Sequence, residues 1–195
     1  GGLSILGTTG IVIPYSCAAW IASIHQGIDV ARAIGTKHVA ACTGKTSEEA
    51  VTALYGFEPS EILDMGDFVG GTVKYLQTHP IPRVTIASGF GKVSKLAAGH
   101  MDLHSKRSQV DPKFIASLAA EGGINKNICD QISKAESAGT IIELIEAYNL
   151  KLGDYVAKTA QAIVDKKIES DVNIEVLVYN REGIQIGHAP FKEVD

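Results

Sequence analysis

The stretch from Arg83 to Gly91 constrains this chain more than any other. An apolar run, Arg83-Val-Thr-Ile-Ala87, meets a glycine-rich turn, Ser88-Gly-Phe-Gly91, and the turn starts a short helix. Open α/β sheets are assembled from that unit, and they keep their ligands at that strand end. Lys92 and Lys95 fall three apart on one face of the new helix, in its first turns. Like charges so placed repel, and cations at a helix N-terminus oppose the macrodipole. Folding gains nothing from such a pair, so the expectation is an anionic ligand. Gly99 closes the helix, and His100, His104, Lys106 and Arg107 follow. Four fixed positive charges lie between 92 and 107 against the single acid Asp102, in a chain of net charge −4. The stretch reads as a local basic site on an acidic protein.

The same logic recurs upstream. Leu3–Leu6 is a short apolar run entering Gly7-Thr8-Thr9-Gly10, where small residues let backbone N–H groups approach a ligand. Ser16 is placed to cap a helix in which Ile21, Ile24, Ile28 and Ala31 repeat at helical spacing and Trp20 is a core neighbour. Lys37–Cys42 is a second strand, ending in Thr43-Gly-Lys-Thr46. A phosphate loop needs a glycine where Val39 stands, so a Walker loop is rejected, and the Rossmann spacing GxGxxG is absent from the first turn. Thr46 and Glu49 suggest a capping box for a helix with Val51, Leu54 and Tyr55 inward. Glu48 and Glu49 sit where an acid commonly grips a ribose hydroxyl. Ile62–Gly70 is an apolar run broken by Asp64, Gly66 and Asp67, and a helix is expected from Phe68 to Leu76.

Beyond Pro112 the pattern is helical, with segments at Phe114–Glu121, Asn127–Lys134, a helix opened by Thr140 and Glu143, and Tyr155–Lys167. Val172–Tyr179 changes to period two, and Asn180-Arg-Glu-Gly183 turns it back, so the chain ends in an antiparallel hairpin. The fold class expected is α/β: a mostly parallel Rossmann-like sheet flanked by helices, with a C-terminal antiparallel hairpin. Residues 1–189 read as one domain and 190–195 as a tail.

With 195 residues, 45% of them hydrophobic, the chain can bury one sizeable core. The net negative charge argues against nucleic acid or an anionic membrane as the main partner, and no apolar run approaches the length of a membrane span. Cys17, Cys42 and Cys129 have no ligand spacing and read as reduced, buried thiols of a cytoplasmic protein. His100 and His104 are four apart, as in zinc proteases, but Met101 stands where the motif needs glutamate; no protein-bound metal is expected. No Ser–His–Asp or Cys–His order supports nucleophilic catalysis. Nothing fixes an oligomeric state, and a homo-oligomer is compatible with the sequence.

Three segments together go further: Gly-Gly-Leu-Ser-Ile-Leu-Gly-Thr-Thr-Gly-Ile-Val at 1–12, Phe68-Val-Gly70, and Gly-Phe-Gly-Lys-Val-Ser-Lys-Leu-Ala-Ala-Gly-His-Met-Asp-Leu-His-Ser at 89–105. They closely resemble the cobalt-precorrin-5B C1-methyltransferase family of anaerobic cobalamin biosynthesis. The resemblance keeps the same order along the chain and includes Thr43–Glu48 and the terminal hairpin. Tyr15-Ser-Cys-Ala departs from the more acidic, methionine-bearing segment of the family, and Asp102-Leu103 replaces a pair that often ends in threonine. The family also carries a further N-terminal domain, so the chain reads as a fragment. What the resemblance implies is methyl transfer from S-adenosyl-L-methionine to ring carbon 1 of a cobalt-bound, polycarboxylate tetrapyrrole. Gly7, Thr8, Thr9, Gly10, Thr43, Gly44, Glu48, Asp64, Gly66 and Asp67 are the candidate cofactor residues. Gly89, Gly91, Lys92, Lys95, His100, His104, Ser105 and Arg107 are the candidate substrate residues. Any acid–base help would come from His100 or His104. The alternative is a non-catalytic domain that binds a nucleotide or anionic metabolite; a nicotinamide enzyme is weakened by the missing glycine motif.

Overall fold

A computed structural model of the protein describes residues 16–193. The first helix, α1 (Cys17–Ala33), is capped as its sequence predicts, with the Ser16 hydroxyl accepting a hydrogen bond from Ala19 N at 3.3 Å. Ile24, Ile28 and Ala31 form its buried stripe. Then come β1 (His38–Cys42), α2 (Lys45–Tyr55), a 3-10 turn at Pro59–Glu61, β2 (Ile62–Asp64), α3 (Val69–Thr78), β3 (Arg83–Gly89) and α4 (Phe90–Ala97). Four further helices, α5 (Pro112–Glu121), α6 (Lys126–Ser133), α7 (Ala138–Ala147) and α8 (Leu152–Asp165), lead to β4 (Asn173–Tyr179) and β5 (Gln185–Ala189).

The strands lie in the order β2-β1-β3-β4-β5. β2, β1, β3 and β4 run parallel, and β5 closes the edge antiparallel to β4. This is the expected α/β architecture, terminal hairpin included. The chain moves outward from β1 to β2 and then crosses back to β3. Connections therefore leave β1 and β3 in opposite directions, which opens a crevice beyond their carboxyl ends.

The two faces of the sheet are unequal. Val39, Ala41, Leu63, Val84, Ile86, Ile174, Val176 and Val178 join the large core, together with buried residues of α1, α3, α4 and α8. The other face is a smaller cluster of Ala40, Cys42, Ala87, Leu177 and Tyr179, with Val51 of α2 and Phe57 packed on it. Although the sequence of β4 alternates with period two, Ile174 through Tyr179 are buried on both faces. The polar member, Glu175, is 2% exposed and is satisfied internally. Its carboxylate accepts from Thr85 Oγ1 at 2.7 Å and from the Tyr55 hydroxyl at 2.8 Å, and it meets His188 Nε2 at 2.9 Å. Burial pushes the Tyr55 hydroxyl well above its ordinary value, helped by that bond to Glu175.

Five local expectations are corrected, the last being that Cys17 is buried. The N-cap of α2 is Gly44, so Thr46 lies past the position from which it could cap; Ser47 Oγ instead donates to Gly44 O, and Glu49 pairs with Lys45 at 3.5 Å. Ser137, not Thr140, caps α7, accepting from Thr140 N. Of the α2 residues expected inward only Val51 is buried, because the thin cover over this face leaves Leu54 54% and Tyr55 39% exposed. Trp20 is not core: it is 36% exposed and its Nε1 donates to Asp64 O at 2.9 Å. Of the three cysteines, Cys42 and Cys129 are buried free thiols and Cys17 is exposed. Leu3–Leu6 and the loop Gly7–Gly10 lie outside the described residues. Among the described residues, no helix is long and apolar enough to cross a membrane.

Candidate active site

The carboxyl ends of β1 and β3 are tied by a hydrogen bond between Thr43 Oγ1 and Ser88 Oγ at 2.6 Å. On either side of this tie lies a cleft. The first, about 420 Å³, lies above β1, β3 and β4 and is lined by Thr43–Ser47, Gly89–Lys92, Lys95, the start of α7, and Tyr179–Arg181. Among the described residues its lining includes four cations, Lys45, Lys92, Lys95 and Arg181, and no acid. The second, about 760 Å³, lies above β1 and β2 and is lined by Trp20, Thr43, Gly44, Lys45, Glu48, Asp64, Gly66, Asp67, Phe68, Lys92 and His104, with Ser16 and Cys17 at the start of α1. Three carboxylates face two lysines there. Thr43, Gly44, Lys45 and Lys92 border both clefts.

All six described cofactor candidates, Thr43, Gly44, Glu48, Asp64, Gly66 and Asp67, line the second cleft together. Gly66 is required at its turn: its φ is +55°, and a Cβ would stand 3.0 Å from the Trp20 ring. Gly89, Gly91, Lys92 and Lys95 of the substrate set line the first cleft. His104 lines the second cleft, while His100, Ser105 and Arg107 border neither. Arg107 is held by Asp102 at 2.8 Å.

Both lysines of α4 have partners within the fold, where their spacing pointed to a ligand alone. Lys92 Nζ lies 3.1 Å from Asp67 Oδ1 and donates to Thr43 O at 2.8 Å. Lys95 is 8% exposed and its Nζ donates to Leu103 O at 2.9 Å. Burial pushes the Lys95 ammonium below its ordinary value; Asp67 opposes that shift and Lys92 adds to it. Sequence spacing alone cannot show this, because the partners lie in other loops. The segment after α4 is pinned by the same set of bonds: Gly70 N donates to Met101 O at 2.8 Å and Leu103 N to Asp67 O at 2.9 Å. Gly99, at φ +92°, turns the chain out of the helix, so His100 and His104 do not share a helical face. His104 Nδ1 accepts from Lys106 N at 3.2 Å, which leaves Nε2 to carry the proton of the neutral ring. No group of three or more His, Cys, Asp or Glu among the described residues is arranged to hold a metal ion.

Sequence reasoning missed Trp20, Lys45, Tyr179, Asn180 and Arg181 in the clefts. A signal existed for the last three: β4 is parallel to β3, so its carboxyl end emerges at the same crevice.

Comparison with known proteins bears on this arrangement. Residues 102–190 match the model of the family described as CbiD, C-terminal domain. The chain is 52% identical over 190 residues to the cobalt-precorrin-5B C(1)-methyltransferase of Paramagnetospirillum magneticum, covering 97% of this chain and 53% of that protein. The chain is similar to that protein over nearly its own whole length. Proteins of the same name from Burkholderia pseudomallei (48% identical, 97% of this chain and 52% of the relative) and Brucella anthropi (50%, 94% and 50%) agree. The chain spans about half the length of the curated relatives it matches. No solved structure matches it.

Proposed function

We propose that this chain forms the ligand crevice of a cobalt-precorrin-5B C(1)-methyltransferase, which moves a methyl group from S-adenosyl-L-methionine to ring carbon 1 of the tetrapyrrole in cobalamin biosynthesis. One observation carries the reading: all three described carboxylates of the crevice lie in the cleft over β1 and β2, while the described charged residues lining the cleft over β1, β3 and β4 are all cations, two of which, Lys45 and Lys92, border both. S-adenosylmethionine, when bound, supplies a methyl group on a positively charged sulfonium. Glu48, Asp64 and Asp67 suit that charge and the ammonium and ribose hydroxyls beside it, and Trp20 and Phe68 offer ring faces to a purine, their centroids 6.1 Å apart. The loop Gly7-Thr8-Thr9-Gly10 belongs to the same assignment, as backbone donors. Lys45, Lys92, Lys95 and Arg181 suit the carboxylates of the macrocycle.

Methyl transfer needs the acceptor carbon and the methyl held in line, so most of the work assigned to these residues is alignment. When bound, the donor would supply the methyl with sulfur keeping the electron pair of the broken carbon–sulfur bond, and the macrocycle would supply the pair for the new carbon–carbon bond. Thr43 and Lys92, which border both clefts, set where the two ligands meet. His104 enters as a donor through Nε2. His100 is withdrawn from the acid–base role, since it borders neither cleft. We assign ligand binding to this chain and expect turnover to need the rest of the relatives' length.

Titration of the purified chain with S-adenosylhomocysteine, ATP and NAD tests the reading. Binding of S-adenosylhomocysteine with ATP and NAD inert is expected. Binding of ATP or NAD with S-adenosylhomocysteine inert would favour a nucleotide-binding domain and overturn the assignment.

A further inference from the structure

The register of β1 with β3 ends at Cys42 opposite Ala87, and one residue further on a side-chain bond takes over. Thr43 Oγ1 and Ser88 Oγ lie 2.6 Å apart, where the two segments part to begin α2 and α4. Ser88 is 1% exposed and lines neither cleft; among the described residues, Thr43 is the only hydrogen-bond partner of its hydroxyl. The two ends are not held alike. Ser88 still belongs to the sheet, opposite Val178 of β4. Thr43 lies beyond the last pairs of β1, which are Cys42 with Asp64 and Cys42 with Ala87. It is fixed by three bonds, all to the segment 87–92: its N donates to Ala87 O at 3.2 Å, its O accepts from Lys92 Nζ at 2.8 Å, and its hydroxyl meets Ser88. Two apolar side chains of the same shape would serve folding about as well as this hydroxyl pair. A hydrogen bond adds a fixed distance and direction, which an apolar contact does not.

We propose that Ser88 is a positioning residue for both clefts: its bond to Thr43 carries the fixed geometry of β3 and β4 to the wall that the two ligands share. The inference rests on the reading that one cleft holds the methyl donor and the other the tetrapyrrole. Thr43 and Gly44 border both clefts, and Gly44 is the N-cap of α2, so a displaced Thr43 moves Gly44 and Lys45 with it. Lys92 moves too, since its ammonium rests on Thr43 O and meets Asp67 Oδ1 beyond it. Ser88, Thr43, Lys92 and Asp67 thus form one connected line from the end of β3 to the loop between β2 and α3. Methyl transfer is sensitive to such a shift, because misplacing reacting groups by about 1 Å can cost on the order of a hundredfold in rate. Ser88, being buried, acts through Thr43 and touches no ligand.

The test is a double-mutant cycle on the bond: Ser88→Ala, Thr43→Val and the two together. Each is titrated with S-adenosylhomocysteine and with uroporphyrin, a polycarboxylate tetrapyrrole. Each single variant is expected to bind both probes about threefold to tenfold more weakly, the range of one neutral hydrogen bond. The double variant should bind no more weakly than either single, because the same bond is already gone. Thr43→Ser, which keeps the hydroxyl, should recover most of the affinity that Thr43→Val loses. A purely structural bond would lower the thermal midpoint of Ser88→Ala and leave both affinities of the folded protein unchanged; that result would overturn the proposal. So would a loss in the double variant equal to the product of the two single losses, or a loss confined to one probe. If Ser88→Ala does not fold, Thr43→Val against Thr43→Ser still decides, since equal affinities in the two would overturn the role of the bond. Wild-type protein that binds fewer than both probes would remove the two-ligand reading, and the proposal with it; that failure is distinct from wild-type binding that the variants leave intact.

Discussion

Lys92 Nζ lies 3.1 Å from Asp67 Oδ1, and this ion pair spans the wall between the two clefts. Lys92 comes from the first turn of α4 and Asp67 from the loop between β2 and α3, so the contact joins the two halves of the reversed sheet order. Both side chains are partly exposed, at 34% and 24%. Pairs this wet contribute little to folding, typically 0.2–1 kcal/mol. The value of the pair lies in positioning.

Lys92→Gln should therefore cost less than about 1 kcal/mol of stability, while weakening both S-adenosylhomocysteine and uroporphyrin binding. Urea unfolding and titration calorimetry on the one variant check this. Loss of affinity for a single ligand would show that Lys92 serves one cleft only.

Lys95 behaves differently, being buried with its ammonium on Leu103 O. Lys95→Met leaves that carbonyl without its donor and should destabilise the protein by about 1–3 kcal/mol. The spacing argument that treats Lys92 and Lys95 as two repelling ligand-holders predicts a neutral or stabilising change for such replacements. Urea unfolding of the variant decides between a lysine that pins the 99–104 segment and one that waits for a ligand.

That contrast marks what the sequence reveals. Gly66, Asp67, Gly89 and Gly91 are recognisable because a strand running into glycines before a helix has few folded solutions, and the crevice at its end follows. The cofactor candidates at 43–48 and 64–67 fall on neighbouring strand ends, so they meet as soon as β1 and β2 pair. Lys95 is not recognisable as structural, because its partner is a backbone carbonyl eight residues on. Tyr179 and Arg181 are obscured for another reason. The period-two pattern of β4 resembles an exposed hairpin strand, and only its pairing to β3 brings its end to the crevice. Glu175 creates the same illusion, since an acid in alternation suggests water where the structure has Thr85, Tyr55 and His188.

The terminal hairpin is packed against α8 with no room to spare. A Cβ on Gly153 would stand 1.8 Å from Ile186 O, and one on Gly187 would stand 2.3 Å from the Gly153 backbone. Gly153→Ala must push β5 from α8, and a loss of about 3 kcal/mol or more is expected, at the upper end of overpacking costs. A thermal midpoint within a degree of wild type would show that the two elements are not in contact.

Alkaline pH should destabilise the fold. Burial, helped by Glu48 and Asp64, pushes the Cys42 thiol from its ordinary 9.0 up to about 12, and burial raises Tyr179 from 10.0 to about 12. Both groups hold their protons longer in the folded state, so the stability they contribute is complete below 9.0 and is lost as pH rises towards 12. Lys95 acts in the opposite sense, because its lowered value means that the burial penalty fades as the ammonium deprotonates. Between pH 9 and 10 Cys42 dominates, with a slope of at most about 1.4 kcal/mol per pH unit. Urea unfolding at pH 8, 9 and 10 should show this decline, and Cys42→Ala should flatten it. An equally steep decline in Cys42→Ala would contradict the assignment.

The central claim is that charge divides the crevice between two ligands. The direct measurement is the affinity of a double variant, Glu48→Gln with Asp64→Asn, and of the single variant Arg181→Gln, for S-adenosylmethionine and for uroporphyrin. Each of these exposed charges should contribute about 0.2–1 kcal/mol to its own ligand. The acidic double variant is predicted to bind S-adenosylmethionine severalfold more weakly and uroporphyrin as well as wild type, and Arg181→Gln the reverse. Parallel losses of both ligands in both variants, or losses that cross over, would contradict the division.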